Sequence, residues 1–171
     1  MTYRLGISMG LLFAAATFVA LASAVPSTAV AADFTLDLPA GLACESFDLR
    51  IEGNVNPKAV YKEFYDKNGN PVRMLSAGKG NSLLFTNLDS SATLALAANG
   101  SVSTVMPNGD GSQKWAMMGH NVLILFPTDV PAGPSTTLYV GRIVFTIDTS
   151  GVYTLESTSG NAMDICAALS N

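Results

Sequence analysis

Apolar and polar residues alternate along this chain in short runs. Phe47-Asp48-Leu49-Arg50-Ile51-Glu52 alternates strictly, the pattern of a half-buried strand with Phe47, Leu49 and Ile51 turned inward. Val60–Tyr65 follows, with Tyr61 and Tyr65 on one strand face and Val60 and Phe64 on the other. Further strand signals cover 72–75, 83–86, 93–96, 102–106 and 113–118. Val122–Phe126 is continuously apolar, as in a strand buried on both faces. The longest strand pattern is 137–148, with Tyr139, Ile143, Phe145 and Ile147 as its main inward positions. Gly141 interrupts it, which suggests a bulge or a close approach of backbone. Segment 152–157 is the last strand signal, and 161–169 reads as a short helical turn.

Turn residues separate these runs. Asn99-Gly100 lies between two apolar-containing segments and predicts a hairpin turn. Asn108-Gly109-Asp110-Gly111 predicts another. No stretch has the period of a long amphipathic helix. About nine to ten short strands with turns between them predict an all-β domain, an antiparallel β-sandwich or barrel.

The N-terminus departs from this pattern. Arg4 precedes a charge-free stretch, Leu5–Ala24, rich in Ala, Leu, Phe and Val. Small residues follow, at Ala22-Ser23-Ala24 and Ala29-Val30-Ala31. This order is that of a secretory signal peptide. The expected organisation is a signal peptide over 1–31 and a single all-β secreted domain over 32–171. Cleavage after Ala31 would leave eight basic and thirteen acidic residues, 8 − 13 = −5. An acidic domain without a Lys/Arg cluster excludes nucleic acid as an expected partner. No second long apolar run points to a membrane once the signal is removed.

The chain has two cysteines, Cys44 and Cys166. An even count in an exported chain favours a disulfide. It would close a loop of about 120 residues and contribute on the order of 4–5 kcal/mol in the chain-entropy account.

Candidate chemistry is sparse. Asp66, Asn68 and Asn70 alternate like the start of a calcium loop, but Pro71 stands where such a loop needs its glycine and Ala77 where it needs its glutamate. The stretch reads as a hairpin tip. His120 is the one histidine, and no G-x-S-x-G elbow accompanies it. It is expected at a strand boundary, partly buried and bonded to backbone. Glu45, Glu52, Glu63 and Glu156 offer no visible pair for glycoside hydrolysis. No catalytic residue, metal ligand or cofactor is expected. The one tryptophan, Trp115, is either core or part of an aromatic surface with Tyr61 and Tyr65, because a flat ring suits a sugar face. Asp129 lies in the proline-rich segment 127–136, read as a rigid loop crossing between sheets, and joins those three as a possible binding surface.

"LDLPAGLAC" (36–44), "KNGNPVRMLSAGKG" (67–80), "GHNVLILFPTDVPAGPSTTLYVGR" (119–142) and "DICAALS" (164–170) together resemble a family of small secreted actinobacterial proteins of unknown function. The resemblance implies export and supplies no activity. The expected function is a secreted non-catalytic module that binds a cell-surface polysaccharide or another extracellular protein. The alternatives are a secreted hydrolase, or a protease inhibitor presenting the 127–136 loop.

Overall fold

The structure is a computed structural model that describes residues 31–55 and 58–170. The expected signal peptide lies outside the described residues. From Ala31 onward the chain is one compact unit. Its strands are β1 (Phe34–Leu38), β2 (Leu49–Asn54), β3 (Val60–Tyr65), β4 (Pro71–Gly78), β5 (Ser82–Asn87), β6 (Thr93–Leu96), β7 (Ser101–Pro107), β8 (Gln113–Leu125), β9 (Ser135–Ile147) and β10 (Tyr153–Asp164), followed by the short helix α1 (Ile165–Leu169). Two antiparallel sheets form, ordered β1-β2-β5-β6 and β10-β9-β8-β7-β4-β3. They pack against each other as a sandwich and do not close into a barrel.

The first core lies between the sheets. Phe47, Leu49 and Ile51, the inward residues of the strict alternation, are buried there with Phe85. Val122, Ile124 and Leu138 reach them from the larger sheet. Ile165 and Leu169 of α1 fill one side, and Asp164 caps that helix by accepting from the Ala167 amide at 3.0 Å. Cys44 and Cys166 form the disulfide, with Cα atoms 5.5 Å apart. It ties the segment before β2 to α1 at the edge of this core. Beside it, the Thr136 hydroxyl donates to the Ala43 carbonyl at 3.0 Å, fully buried.

A second core belongs to the larger sheet alone. Leu123 and Leu125, near the end of β8, are buried with Ile143 and Phe145 of β9. In register, however, Leu123 pairs with Thr137, and Ile143 pairs with Met117 near the start of β8. A straight thirteen-residue strand is about 40 Å long, so these side chains meet only if the sheet bends back on itself. Hydrogen bonds require the same. The Val130 amide, five residues past β8, donates to the Tyr153 carbonyl at 2.8 Å, and the Leu155 amide donates to the Val130 carbonyl at 2.7 Å. Tyr153 pairs with Ile147, which pairs with Gln113 at the opposite end of β8.

The bend falls on a row of glycines. Gly119, Gly141 and Gly160 are aligned across β8, β9 and β10. All three have positive φ, +97°, +154° and +91°. A Cβ at Gly119 would meet the Gly100 carbonyl oxygen at 2.2 Å, at Gly141 the Ser159 oxygen at 2.0 Å, and at Gly160 the Val140 oxygen at 2.3 Å. No side chain fits where the backbones pass this closely. The close approach read from Gly141 alone is therefore one point of a crease three strands wide.

Three readings from sequence are corrected, and one strand is added. The segments 113–118 and 122–126 are one strand, joined through the crease. Phe34–Leu38, with four of its five residues exposed, is a strand that the alternation did not single out. Asn99-Gly100 is not a hairpin turn: β6 pairs with β5, and β7 pairs with β4 and β8, so this segment crosses between sheets. Conversely, the proline-rich loop joins β8 to its neighbour β9 within one sheet and crosses nowhere. Both errors come from judging connections by turn residues, when the inter-strand hydrogen bonds set the partners.

The crease can be tested by adding one methyl group. Gly141→Ala is expected to lower stability by about 3 kcal/mol through backbone strain and overpacking, read from the urea unfolding midpoint. Gly69→Ala is the control. Its φ is +85° but its Cβ would meet nothing within 4 Å, so only the conformational penalty of roughly 1 kcal/mol applies. Equal losses at the two sites would contradict a crowded crease.

Candidate binding face

Strands β3, β4, β7 and the first half of β8 extend the larger sheet beyond the folded-over part. Glu63, Met74, Val105 and Trp115 lie in one row across them, in register. Tyr61, Ser76, Ser103 and Met117 form the next row. Strands are about 4.8 Å apart, so each row spans roughly 14 Å. A shallow groove of about 220 Å³ follows both rows, walled by Tyr61 and Glu63 at one end and Trp115 at the other.

Tyr61 is 76% exposed. Its backbone neighbours pair only with β4, because β3 is the outermost strand. Tyr65, also exposed, donates its hydroxyl to the Glu63 carboxylate, which keeps the two side chains on one face. That hydrogen bond and the carboxylate charge raise the phenol above its ordinary pKa. Tyr65 therefore stays a neutral donor at physiological pH. On the opposite face Phe64 is covered by Arg73 at 4.0 Å and Lys62 at 5.0 Å from its ring centre.

Trp115 serves both sides of the question raised by the sequence. It is half-buried at the margin of the second core. Its ring stacks on Phe145, centroids 5.9 Å apart, and Phe145 stacks on Tyr153 at 5.4 Å. Its indole nitrogen donates to Gln113 at 3.2 Å. One face is thus fixed by packing while the residue also lines the groove.

Asp129 is not on this face. It is 4% exposed. Its carboxylate accepts from the Phe126 amide at 2.6 Å and the Tyr153 amide at 2.8 Å. The aspartate therefore holds the proline-rich loop against the start of β10. The same loop donates from Gly133 to the Phe126 carbonyl at 2.9 Å, so it is strapped down along its length.

His120 also differs from expectation. It is exposed and lies within β8, one residue past the crease. β7 ends its pairing with Ser101 opposite Gly119, so beyond that point β8 has an open side and the ring faces a crevice. Among the described residues, no hydrogen bond joins the ring to a serine or a carboxylate. The glutamates stand apart: Glu63 is on β3 and Glu156 on β10, at opposite edges of the larger sheet. Glu156 is engaged by Lys114 at 2.5 Å and by the Thr146 hydroxyl, and these hold its carboxyl below the ordinary carboxylate pKa.

At the β3–β4 turn, Asp66 accepts from the Asn68 and Asn70 amides at 2.7 and 2.9 Å and from the Asn70 side chain at 3.1 Å. These bonds, those from Asn70 first, lower its pKa. The carboxylate closes a hairpin turn, as the spacing of the stretch predicts.

No protein-family model, curated protein or solved structure matches this chain. Among the described residues, no helix is long and apolar enough to cross a membrane.

Asp129→Ala would leave two part-buried amide donors without their acceptor. A loss of about 2–4 kcal/mol is expected, since hydrogen bonds to a charged acceptor are the stronger kind. Thermal or urea unfolding measures it, and a near-neutral substitution would contradict the strapping role.

Proposed function

We propose that this is a secreted, non-catalytic binding module that holds a cell-surface polysaccharide on the face carrying Tyr61, Tyr65 and Trp115. The observation that carries this reading is the placement of Tyr61. A large, rigid ring stands exposed beside a groove that ends at Trp115. Aromatic rings offer flat apolar area at low entropic cost, with a polar tip for hydrogen bonding. Between them Ser76 and Ser103 supply hydroxyls, Glu63 supplies acceptors and Met74 and Val105 supply an apolar floor. A sugar chain presents the complementary set, with apolar ring faces and hydroxyl edges. The groove is open, which suits an extended chain more than a small enclosed molecule.

Export is part of the same proposal. The disulfide fits an oxidising compartment, and the N-terminal pattern fits a signal peptide. The resemblance to small secreted actinobacterial proteins agrees with it.

Affinity electrophoresis through gels containing soluble cell-wall and capsular polysaccharides tests the reading. At least one polysaccharide should retard the protein. Tyr61→Ala should weaken that retardation about tenfold, as truncation of an aromatic anchor does. Met118→Ser, on the opposite face of the sheet, should leave it unchanged. Equal retardation of Tyr61→Ala and wild type, or none of the wild type by any polysaccharide, would overturn the assignment.

A further inference from the structure

The smaller sheet packs on Val122, Ile124 and Leu138, beyond the glycine crease. Before the crease, the same side of the larger sheet lies open, opposite the tyrosines. Val60, Ala77, Val102, Met118, Arg142 and Ser159 form one row across its six strands, in register. At the usual strand spacing the row is about 24 Å long. Val60 is 63% exposed, Met118 56% and Val102 39%. In the next row Lys62 pairs with Leu75, which is half-buried.

Charge sets this face apart. Lys62 and Arg73 lie over the Phe64 ring on it. Lys114 pairs with Thr146 and bridges to Glu156 at 2.5 Å. Arg142 stands opposite Met118 and makes no ion pair among the described residues. Beyond Ala31 the chain has eight basic and thirteen acidic residues. The strands of this face carry four of the eight and, of the acids, only Glu156, so 4 − 1 = +3. The acidic turn residues at its far end, Asp110 and Asp148, accept from amides of their own turns. An apolar row rimmed by charge marks an interaction surface, and its field attracts anions in a molecule that elsewhere repels them.

The cations sit on β3, β4, β8 and β9, at three levels along the strands, with apolar side chains between them. A single polymer chain would meet only one line of such a field. A plane of anionic headgroups meets all of it, and the boundary beneath the headgroups receives Val60, Val102 and Met118. We infer that this outer face docks on the surface of a membrane rich in anionic phospholipid. The Tyr61 face then points away from the bilayer. The two faces are separate, so the inference does not depend on polysaccharide binding.

Sedimentation with lipid vesicles tests it. Vesicles of equal parts phosphatidylglycerol and phosphatidylcholine should carry the protein down, and phosphatidylcholine alone should bind at least tenfold more weakly. Salt at about 1 M, where charges are screened beyond about 3 Å, should release most of the protein. Arg142→Glu should weaken binding to the anionic vesicles at least tenfold without lowering the thermal unfolding midpoint. Lys62→Glu, exposed on the edge strand, should do the same and decides the matter if Arg142→Glu does not fold. Met118→Ser should weaken vesicle binding severalfold, and Tyr61→Ala should leave it unchanged. No binding to the anionic vesicles, equal binding to phosphatidylcholine alone, undiminished binding by the charge reversals, or an equal loss in Tyr61→Ala would each overturn the inference. So would binding of soluble polyphosphate without binding of vesicles, which would assign the face to a linear polyanion.

Discussion

Three backbones pass too closely at Gly119, Gly141 and Gly160 for any side chain to stand between them, and the rest of the molecule depends on that row. With positive φ in three neighbouring strands, the larger sheet turns back on itself. The turn gives a single sheet two inner surfaces. One, through Val122, Ile124 and Leu138, meets the smaller sheet. The other folds Leu123 and Leu125 over Ile143 and Phe145. This is why the apolar run 122–126 has no polar face: its alternate residues enter different cores. The crease also ends the pairing of β7 with β8, and so creates both the open side at His120 and the projecting strands that carry the tyrosines.

The other constraints hold this bend in place. Asp129 joins the end of β8 to the start of β10 through two backbone amides, and the Val130 backbone extends the join. The disulfide works elsewhere, closing the first core near α1. By constraining the unfolded chain over 122 positions, it contributes about 4–5 kcal/mol in the entropic account. Its effect on the projecting strands is indirect, so the binding face rests on sheet pairing and not on a covalent clamp.

Much of the architecture was legible from periodicity. Strict alternation named Phe47, Leu49 and Ile51 as buried, and cysteine arithmetic paired Cys44 with Cys166. What escaped were relations between distant strands. Gly141 alone announces a local irregularity. That it forms a row with Gly119 and Gly160 requires the register, which no local pattern contains. Alternation placed Tyr61 and Tyr65 on one face, but only the pairing of β3, β4, β7 and β8 brings Trp115 onto it. Asp129 looked like a surface residue because aspartate in a proline-rich loop usually is. Its acceptor role needs Tyr153, twenty-four positions away. Asn121, buried with its side-chain nitrogen unpaired, gave no sequence signal, since an unpaired amide exists only relative to its surroundings.

The central claim is that the six-stranded sheet folds back at the glycine row, and proton–proton contacts in solution test it most directly. Val130 should show cross-strand nuclear Overhauser contacts to Tyr153 and Leu155, and the amides of Val130 and Leu155 should exchange slowly with solvent. Absence of these contacts, with fast exchange at both amides while the β8–β9–β10 ladder stays protected, would mean an open, unbent sheet and would contradict the account.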